Sequence, residues 1–227
     1  MDLTDTDRER IAQAVAQAEA KTSGEVVVVV ARQVSAYPEI PLAWAAAVAL
    51  IVPPLAVALG ARPLALSGAL GQWVVGHVAA LDTVVAGAIG TYALVQAGLF
   101  ALAWLVFSIP AVRRVLTPGF VKAARVRQAA LAQYVATGLP AREDATGVVI
   151  FASLDDHRVE VIAEPHIDEK CGKEVWTKVV HAVVGGMMRR DPASGFVHAI
   201  EICGDVLAQH FPDDGGPNLV PDRPVEI

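Results

Sequence analysis

A long apolar block in the middle of the chain constrains the fold more than any other feature. Between Pro41 and Pro110 the only formally charged residues are Arg62 and Asp82. A helix needs about 20 consecutive apolar residues to cross the hydrocarbon core of a bilayer. The block therefore predicts a membrane element, which we place at residues 37–112.

Two stretches of the block are long enough to span a membrane, residues 40–59 and 84–109. The segment between them, Leu64 to Leu81, contains Gln72, His77 and several glycines, which favours a connector at the membrane surface. The strands before and after the block are expected to share one sheet, so both must lie on the same side of the membrane. The number of crossings is then even, and two is the simplest prediction.

Basic residues near the predicted membrane ends indicate the orientation. Residues 113–137 carry five basic side chains and no acidic one, whereas the connecting region carries only Arg62. Segments rich in Lys and Arg stay on the cytoplasmic side, so the rest of the chain is expected to face the cytoplasm. Residues 1–10 are charged and lack an apolar core region, so no cleavable signal peptide is expected.

The charge outside the membrane block limits the partners. The chain has a net charge of −6, and residues 138–227 hold 8 basic and 16 acidic side chains. A nucleic-acid partner requires a basic face on the domain, so the expected partners are the lipid bilayer and a membrane protein or a second copy of the chain. Cys171 and Cys203 lie in no metal-binding or redox spacing and are predicted to be free thiols.

Apolar runs predict the strands of the remaining sequence. Glu25–Ala31 and Gly147–Ser153 are apolar on both faces, which is typical of central strands covered by helices on both sides. Arg158–Ala163 is a third predicted strand, reached through a hairpin turn. The spacing of apolar residues predicts four helices: Thr4–Lys21, Gly119–Thr137, Glu174–Arg190 and Gly195–Phe211.

This order of elements predicts a discontinuous α/β domain that the membrane element interrupts. Residues 1–36 and 113–212 are expected to form a three-layer α/β/α sandwich with a strand-helix-strand crossover. A two-helix transmembrane hairpin is inserted in that crossover. Residues 213–227 are expected to form an extended C-terminal tail.

Two finer patterns concern the first two predicted helices of the α/β domain. Thr6 and Glu9 fit a capping box at the start of the first helix. Ala124, Leu131 and Val135 lie on one apolar face of the second. Each pattern is a prediction about local packing.

Acidic residues at the ends of the predicted strands indicate a metal site. With the first two strands parallel and the third antiparallel, Glu25, Asp144 and Glu164 meet at one edge of the sheet, and Asp168 lies nearby. Carboxylate oxygens are the ligands of hard cations such as Ca²⁺, so these four residues are the predicted metal ligands. The alternative is that they are solvated strand caps or salt-bridge partners.

The sequence assigns no catalytic and no cofactor-binding residue. Ser153, Asp156 and His157 lie close together, but no nucleophile elbow accompanies them and a polar hairpin turn is the favoured interpretation. Cys171 lacks the following arginine of a phosphate-binding loop. An enzyme activity is therefore not expected from the motifs.

Several ordered segments resemble the TPM-domain family and together cover nearly all of the non-membrane sequence: Thr4–Ile11, Lys21–Val28, Arg125–Arg127, Thr146–Phe151, Arg158–Ala163 and Gly195–Ile200. The resemblance implies an α/β/α domain, often tethered to a membrane. Members have been described as acid-phosphatase-like proteins of the thylakoid lumen, as photosystem repair factors and as auxiliary proteins of membrane receptors, some with bound calcium. The interrupting membrane hairpin resembles a bacterial membrane subgroup, which implies a bacterial inner membrane. Val220 stands where the family pattern has Glu.

Two functions remain open from the sequence. The first is a non-enzymatic accessory or scaffold protein that acts beside a membrane complex and binds a divalent cation such as calcium. The alternative is a metal-dependent acid phosphatase-like hydrolase that acts on phosphomonoesters, and it depends on family analogy and the acidic edge.

Overall fold

The computed structural model describes residues 3–60, 81–139, 146–213 and 220–227. Within them the chain is a mixed α/β protein, mostly helical, with one small mixed sheet. Asp144 and residues 64–80 of the predicted connector lie outside the described residues.

The chain divides into two compact units. The α/β unit comprises Met1–Ala36 and Gly119–Ile227, and the helical unit comprises Tyr37–Pro118. The helical unit thus continues past residue 112 and includes a short helix, Pro110–Leu116, that the sequence did not predict.

The described residues contain the following elements in chain order. The helices are α1 (Asp5–Glu19), α2 (Glu39–Ala58), α3 (Leu81–Phe107), α4 (Pro110–Leu116), α5 (Gly119–Ala136), α6 (Pro165–Cys171), α7 (Lys173–Met188) and α8 (Pro192–His210). The strands are β1 (Glu25–Ala31), β2 (Gly147–Ser153), β3 (Arg158–Ala163) and β4 (Val225–Glu226).

The sheet has the order β3-β2-β1-β4. Strands β1 and β2 are parallel, with Glu25 opposite Gly147, and β2 and β3 are antiparallel. The predicted bounds and directions of these three strands are confirmed. Strand β4 was not predicted: it lies parallel to β1, with Val225 opposite Val29.

Side chains of the sheet alternate between two hydrophobic clusters because successive residues of a strand point to opposite faces. All residues of β1 and β2 are buried, as two runs that are apolar on both faces predict. The larger cluster joins one face to residues of α1, α6, α7 and α8, and includes Val28, Ile150 and Phe196. The smaller cluster joins the other face to α5 and includes Val29 and Phe151.

The capping box of α1 lies two residues earlier than predicted. The Thr4 backbone N–H donates to Asp7 Oδ2 at 3.0 Å, and the Asp7 N–H donates to Thr4 Oγ1 at 3.2 Å. The prediction of Thr6 and Glu9 was wrong because Thr4 also satisfies the spacing, and the helix already begins at Asp5.

The face of α5 that packs on the sheet is not the one that carries its longest apolar stripe. Val126 and Ala130 are buried in the smaller cluster, whereas Leu131 is 43% exposed and Val135 is 67% exposed. An apolar helix face ordinarily packs on the core, and here the small residues of the opposite side do so instead.

Helices α2 and α3 of the helical unit pack against each other. Glu39–Ala58 and Ile89–Phe107 are long and apolar enough to cross a membrane, with mean hydropathies of 2.1 and 1.7. Only 28% of the first apolar window and 6% of the second is buried. Within the described part of the chain, most of their apolar surface is therefore exposed.

A hydrogen bond between α2 and α3 compensates for a proline. Pro53 lies inside α2 and has no N–H to donate to the carbonyl four residues before it, that of Ala49. Gln96 of α3 donates through Nε2 to Ala49 O at 3.1 Å. The side chain thus supplies the donor that proline lacks.

Candidate functional site

Two of the predicted acidic residues, Glu25 and Glu164, lie at the end of the sheet where β1 and β2 start. We call this end the acidic edge. The Glu25 N–H donates to Thr146 O at 2.6 Å, and the Glu164 N–H donates to Gly147 O at 3.2 Å. The strand directions therefore bring the backbones of Glu25 and Glu164 to the same edge.

Glu164 and Asp168 each accept a hydrogen bond from an aromatic side chain. The Tyr134 hydroxyl of α5 donates to Glu164 Oε1, and burial together with this carboxylate raises the pKa of Tyr134. The Trp176 indole N–H donates to Asp168 Oδ1 at 2.8 Å. These bonds hold the two carboxylates against two different helices, Glu164 against α5 and Asp168 against α7.

The described residues contain no group of three or more His, Cys, Asp or Glu side chains arranged to hold a metal ion. Asp144, the fourth member of the predicted set, lies outside the described residues. The calcium site of Glu25, Asp144, Glu164 and Asp168 therefore stays a prediction.

Two further carboxylates, which the sequence analysis did not select as metal ligands, lie beside Glu25. Glu19, at the end of α1, accepts a hydrogen bond from the Val26 N–H at 2.9 Å through Oε1. Burial raises the pKa of Glu19 to about 8, the Val26 bond opposes the shift, and Glu25 and Asp222 add to it. Asp222 belongs to the C-terminal segment that leads into β4. The edge thus carries a carboxyl that binds a proton near neutral pH.

Glu25 is the most deeply placed of these acids, at 6% exposed. Its Oε2 atom is buried and receives no hydrogen bond from the described residues, although the residue makes other interactions. A buried carboxylate oxygen costs free energy unless it is paired or protonated. Burying Glu25 at this position therefore costs free energy that its other interactions must offset.

The Glu19 side chain also provides a hydrogen-bond acceptor along the side of β1 that faces β4. Among the residues that the structure describes, β4 pairs with Val29 and Val30 of β1, and the earlier part of β1 has another acceptor on this side. Glu19 supplies it to Val26. No local sequence signal marks this role, because Glu19 occupies an ordinary position in the last turn of a helix.

A salt bridge holds β4 in place. Arg8 Nε lies 2.6 Å from Glu226 Oε1, and Arg8 Nη2 lies 3.1 Å from Glu226 Oε2. The Ile227 N–H extends the pairing by donating to Val30 O at 3.1 Å. The C-terminal segment is thus part of the sheet and brings Asp222 to the acidic edge.

The polar residues of the β2–β3 turn do not form a nucleophile with an attached base. The Ser153 hydroxyl, which is buried, donates to Asp156 Oδ2 at 3.0 Å. This bond closes the turn locally. It agrees with the interpretation of this segment as a polar hairpin turn.

Both cysteines are free thiols, as predicted. Burial raises the pKa of the Cys203 thiol to about 12, and that of Cys171 is raised by burial and by Asp168. The thiolate is the reactive form of cysteine. Neither residue is therefore poised to act as a nucleophile.

No protein-family model matches the chain, and no characterised protein matches it in sequence. In structure the chain is similar to the BA42 protein from the psychrophilic bacterium Bizionia argentinensis, solved by NMR, with a TM-score of 0.55. The two are 13% identical, and the match covers 100% of this chain and 97% of that one. At this identity the similarity is one of fold alone.

Proposed function

We propose that this chain is a membrane-anchored TPM-type protein: a three-layer α/β/α domain, interrupted by a two-helix transmembrane hairpin, that serves as a non-enzymatic accessory subunit beside a membrane complex. The exposed apolar surface of α2 and α3 carries the proposal. Soluble proteins rarely expose contiguous apolar patches of more than a few hundred Å². A lipid environment removes that cost.

The polar groups of the helical unit support this placement. In hydrocarbon every polar hydrogen needs a partner within the protein. Thr91 Oγ1 donates to Gly87 O at 2.9 Å, Ser108 Oγ donates to Trp104 O at 2.6 Å, and Gln96 Nε2 donates to Ala49 O at 3.1 Å. Each polar side chain in this set is satisfied by a backbone carbonyl.

The proposed orientation places the α/β domain in the cytoplasm of a bacterial cell, with the anchor in the inner membrane. It rests on the basic residues that follow α3, among them Arg113, Arg114 and Arg125, since positively charged flanks stay inside. A reporter fused after Leu59 is expected to report the periplasm, and a reporter fused after Ile227 the cytoplasm. The reverse pair of results would overturn the orientation and leave the anchor intact.

Membrane anchoring is tested by alkaline carbonate extraction and flotation of the full chain expressed in bacteria. We expect the chain to remain with the lipid after extraction. Release into the aqueous fraction would contradict the proposal, because a peripheral protein is removed by this treatment.

The accessory role is tested by photo-crosslinking in native membranes. A photoreactive residue at His198, on the exposed side of α8, and one at Trp104, in α3, sample the two units separately. We expect a reproducible heterologous crosslink from at least one position. Crosslinks to lipid alone, together with phosphomonoester hydrolysis that Glu164→Ala abolishes, would favour the phosphatase alternative.

Calcium binding at the acidic edge is part of the proposal. Its support is that β1 and β3 bring Glu25 and Glu164 to one edge. A Ca²⁺ ion bound by their carboxylate oxygens would offset the repulsion between the two negative charges. Calcium is expected to raise the unfolding temperature of the full chain, and Glu25→Gln is expected to remove the shift, with Glu201→Gln as control. An equal shift in both variants would contradict the site.

A further inference from the structure

The outer face of α5 carries an apolar stripe that the core leaves uncovered. Phe120 is 77% exposed, Leu131 is 43% exposed and Val135 is 67% exposed, and Ala124 is exposed between them. Their spacings of four, seven and four residues place them on one side of the helix. The side that packs on the sheet, with Val126 and Ala130, is separate.

The charged residues of α5 itself are all basic. Helix α5 contains Lys122, Arg125 and Arg127 and no acidic residue. Arg127 Nη1 lies 2.7 Å from Glu160 Oε1, and Lys122 and Arg125 also make interactions within the protein. Arg127 lies on one border of the stripe, and Arg125, which is exposed, lies on the other.

The helix lies close in sequence to the proposed membrane span. Twelve positions separate Phe107, the end of α3, from Gly119, the start of α5 (119 − 107 = 12). Twelve extended residues reach at most about 40 Å. The intervening helix α4 also carries two arginines and an exposed valine, Val115.

We propose that the outer face of α5 lies on the surface of the membrane that holds the anchor, with its apolar stripe among the lipid headgroups and Arg125 against acidic phospholipid. The proposal rests on the membrane anchoring proposed above. Helices with an apolar side bordered by Lys and Arg bind at this depth, and anionic lipid attracts basic segments next to a span. The absence of acidic residues from α5 favours an anionic occupant over a basic or neutral protein surface, and the short link to α3 favours lipid as that occupant.

The stripe is tested by spin labelling of the full chain in lipid nanodiscs. A nitroxide is attached at Leu131→Cys, and as control at Glu201→Cys on α8, whose side chain is 63% exposed. Cys171 and Cys203 are replaced by alanine in both. Val135→Cys is the second labelling site if the Leu131 variant does not fold.

In discs that contain phosphatidylglycerol, we expect the label at position 131 to be roughly threefold less accessible to a water-soluble nickel complex than the label at position 201. Equal accessibility at the two positions would overturn the inference. Protection accompanied by dipolar broadening between copies would also overturn it, because a second copy would then cover the stripe.

The charge is tested separately. Arg125→Gln is expected to reduce the difference in protection between phosphatidylglycerol and pure phosphatidylcholine discs, and Arg125→Lys to keep it. Lys178→Gln, on the exposed side of α7, serves as control. An unchanged difference in Arg125→Gln would contradict the role of the acidic lipid.

These measurements separate the two proposals. A chain that enters the discs but leaves position 131 accessible refutes only the docking of α5. A chain that does not enter the discs at all refutes the anchor and the docking together.

Discussion

The two units of this protein use the same apolar residues in opposite ways. In the α/β unit all residues of β2 are buried, whereas only 6% of the apolar window of α3 is buried in the helical unit. Apolar side chains are stable where water is absent. In the first unit the protein removes the water itself, and in the second we propose that the bilayer does.

The comparison extends to polar groups. The strands of the α/β unit bond to neighbouring strands, and Glu19 supplies an acceptor where β4 is too short to do so. In the helical unit Thr91 and Ser108 bond within their own helix, Gln96 of α3 replaces the donor that Pro53 removes, and Trp44 of α2 donates to Leu116 O of α4. Glu19 and Gln96 each supply, through one side chain, a hydrogen-bond partner that the backbone lacks at that position.

The largest effect is expected from emptying the core of the α/β unit. Phe196 is fully buried, and Phe196→Ala is expected to lower the free energy of unfolding of this unit by about 3–5 kcal/mol. Leu105→Ala in α3, where the side chain is 66% exposed, is expected to leave it unchanged. Urea unfolding of the chain in nanodiscs, followed by near-UV circular dichroism, measures both. Equal losses would contradict the division into differently buried units.

A charge placed on each exposed apolar surface tests the role of lipid. Leu102→Arg in α3 is expected to cost about 2.5–3.5 kcal/mol of membrane insertion and to increase the fraction released by carbonate. Met188→Arg in the α/β unit, at a side chain that is 75% exposed, is the matched control and is expected to have no effect. Tolerance of both substitutions would indicate that α3 faces water.

The bond between Gln96 and Ala49 is expected to contribute about 1 kcal/mol to the packing of α2 on α3. Gln96→Leu removes it, whereas Pro53→Ala restores an N–H that bonds to the same carbonyl. In the Pro53→Ala background the loss caused by Gln96→Leu should therefore be smaller. Double-mutant analysis of unfolding in mild detergent measures the coupling, and strictly additive losses would contradict the replacement of the proline donor.

The pH dependence of stability is expected to reside in the α/β unit. Glu19 has a folded-state pKa of about 8 against an ordinary value of 4.5, so the folded unit binds a proton that the unfolded chain releases between these pH values. Its stabilising effect is full below pH 4.5 and is lost as the pH rises to 8.

The substitution Glu19→Gln imitates the protonated form. It is expected to be neutral at low pH and to stabilise the unit by about 1 kcal/mol above pH 8, a value reduced because Glu19 is partly exposed. Urea unfolding across this pH range measures the effect. A pH profile identical to that of the original chain would show that Glu19 does not carry it.

Much of the sheet could be predicted from the sequence, and the reason is local. The bounds of β1, β2 and β3 match the predicted ones because long apolar runs with turn residues at their ends specify buried strands. The two residues of β4 follow no such pattern. They pair with β1 and are held by the contact of Arg8 in α1 with Glu226, 218 positions apart, which no local window contains.

The candidate site was predictable only in part. The strand directions brought Glu25 and Glu164 to one edge, as expected, but the partners of the acids are tertiary: Tyr134 for Glu164 and Trp176 for Asp168. Glu19 was missed because its raised pKa arises from burial and from Glu25 and Asp222, and neither cause can be seen in the helix that contains it.

The sequence by itself determined that this chain has an apolar block of two membrane-length stretches, two apolar strands and a third strand after a turn, because hydrophobic length and periodicity are local properties. Only the tertiary structure decided which apolar surfaces the protein covers. It left Leu131 and Val135 exposed while burying Val126, and it brought Asp222 beside Glu19. Burial and pKa depend on residues that are distant in sequence, so both required the folded chain.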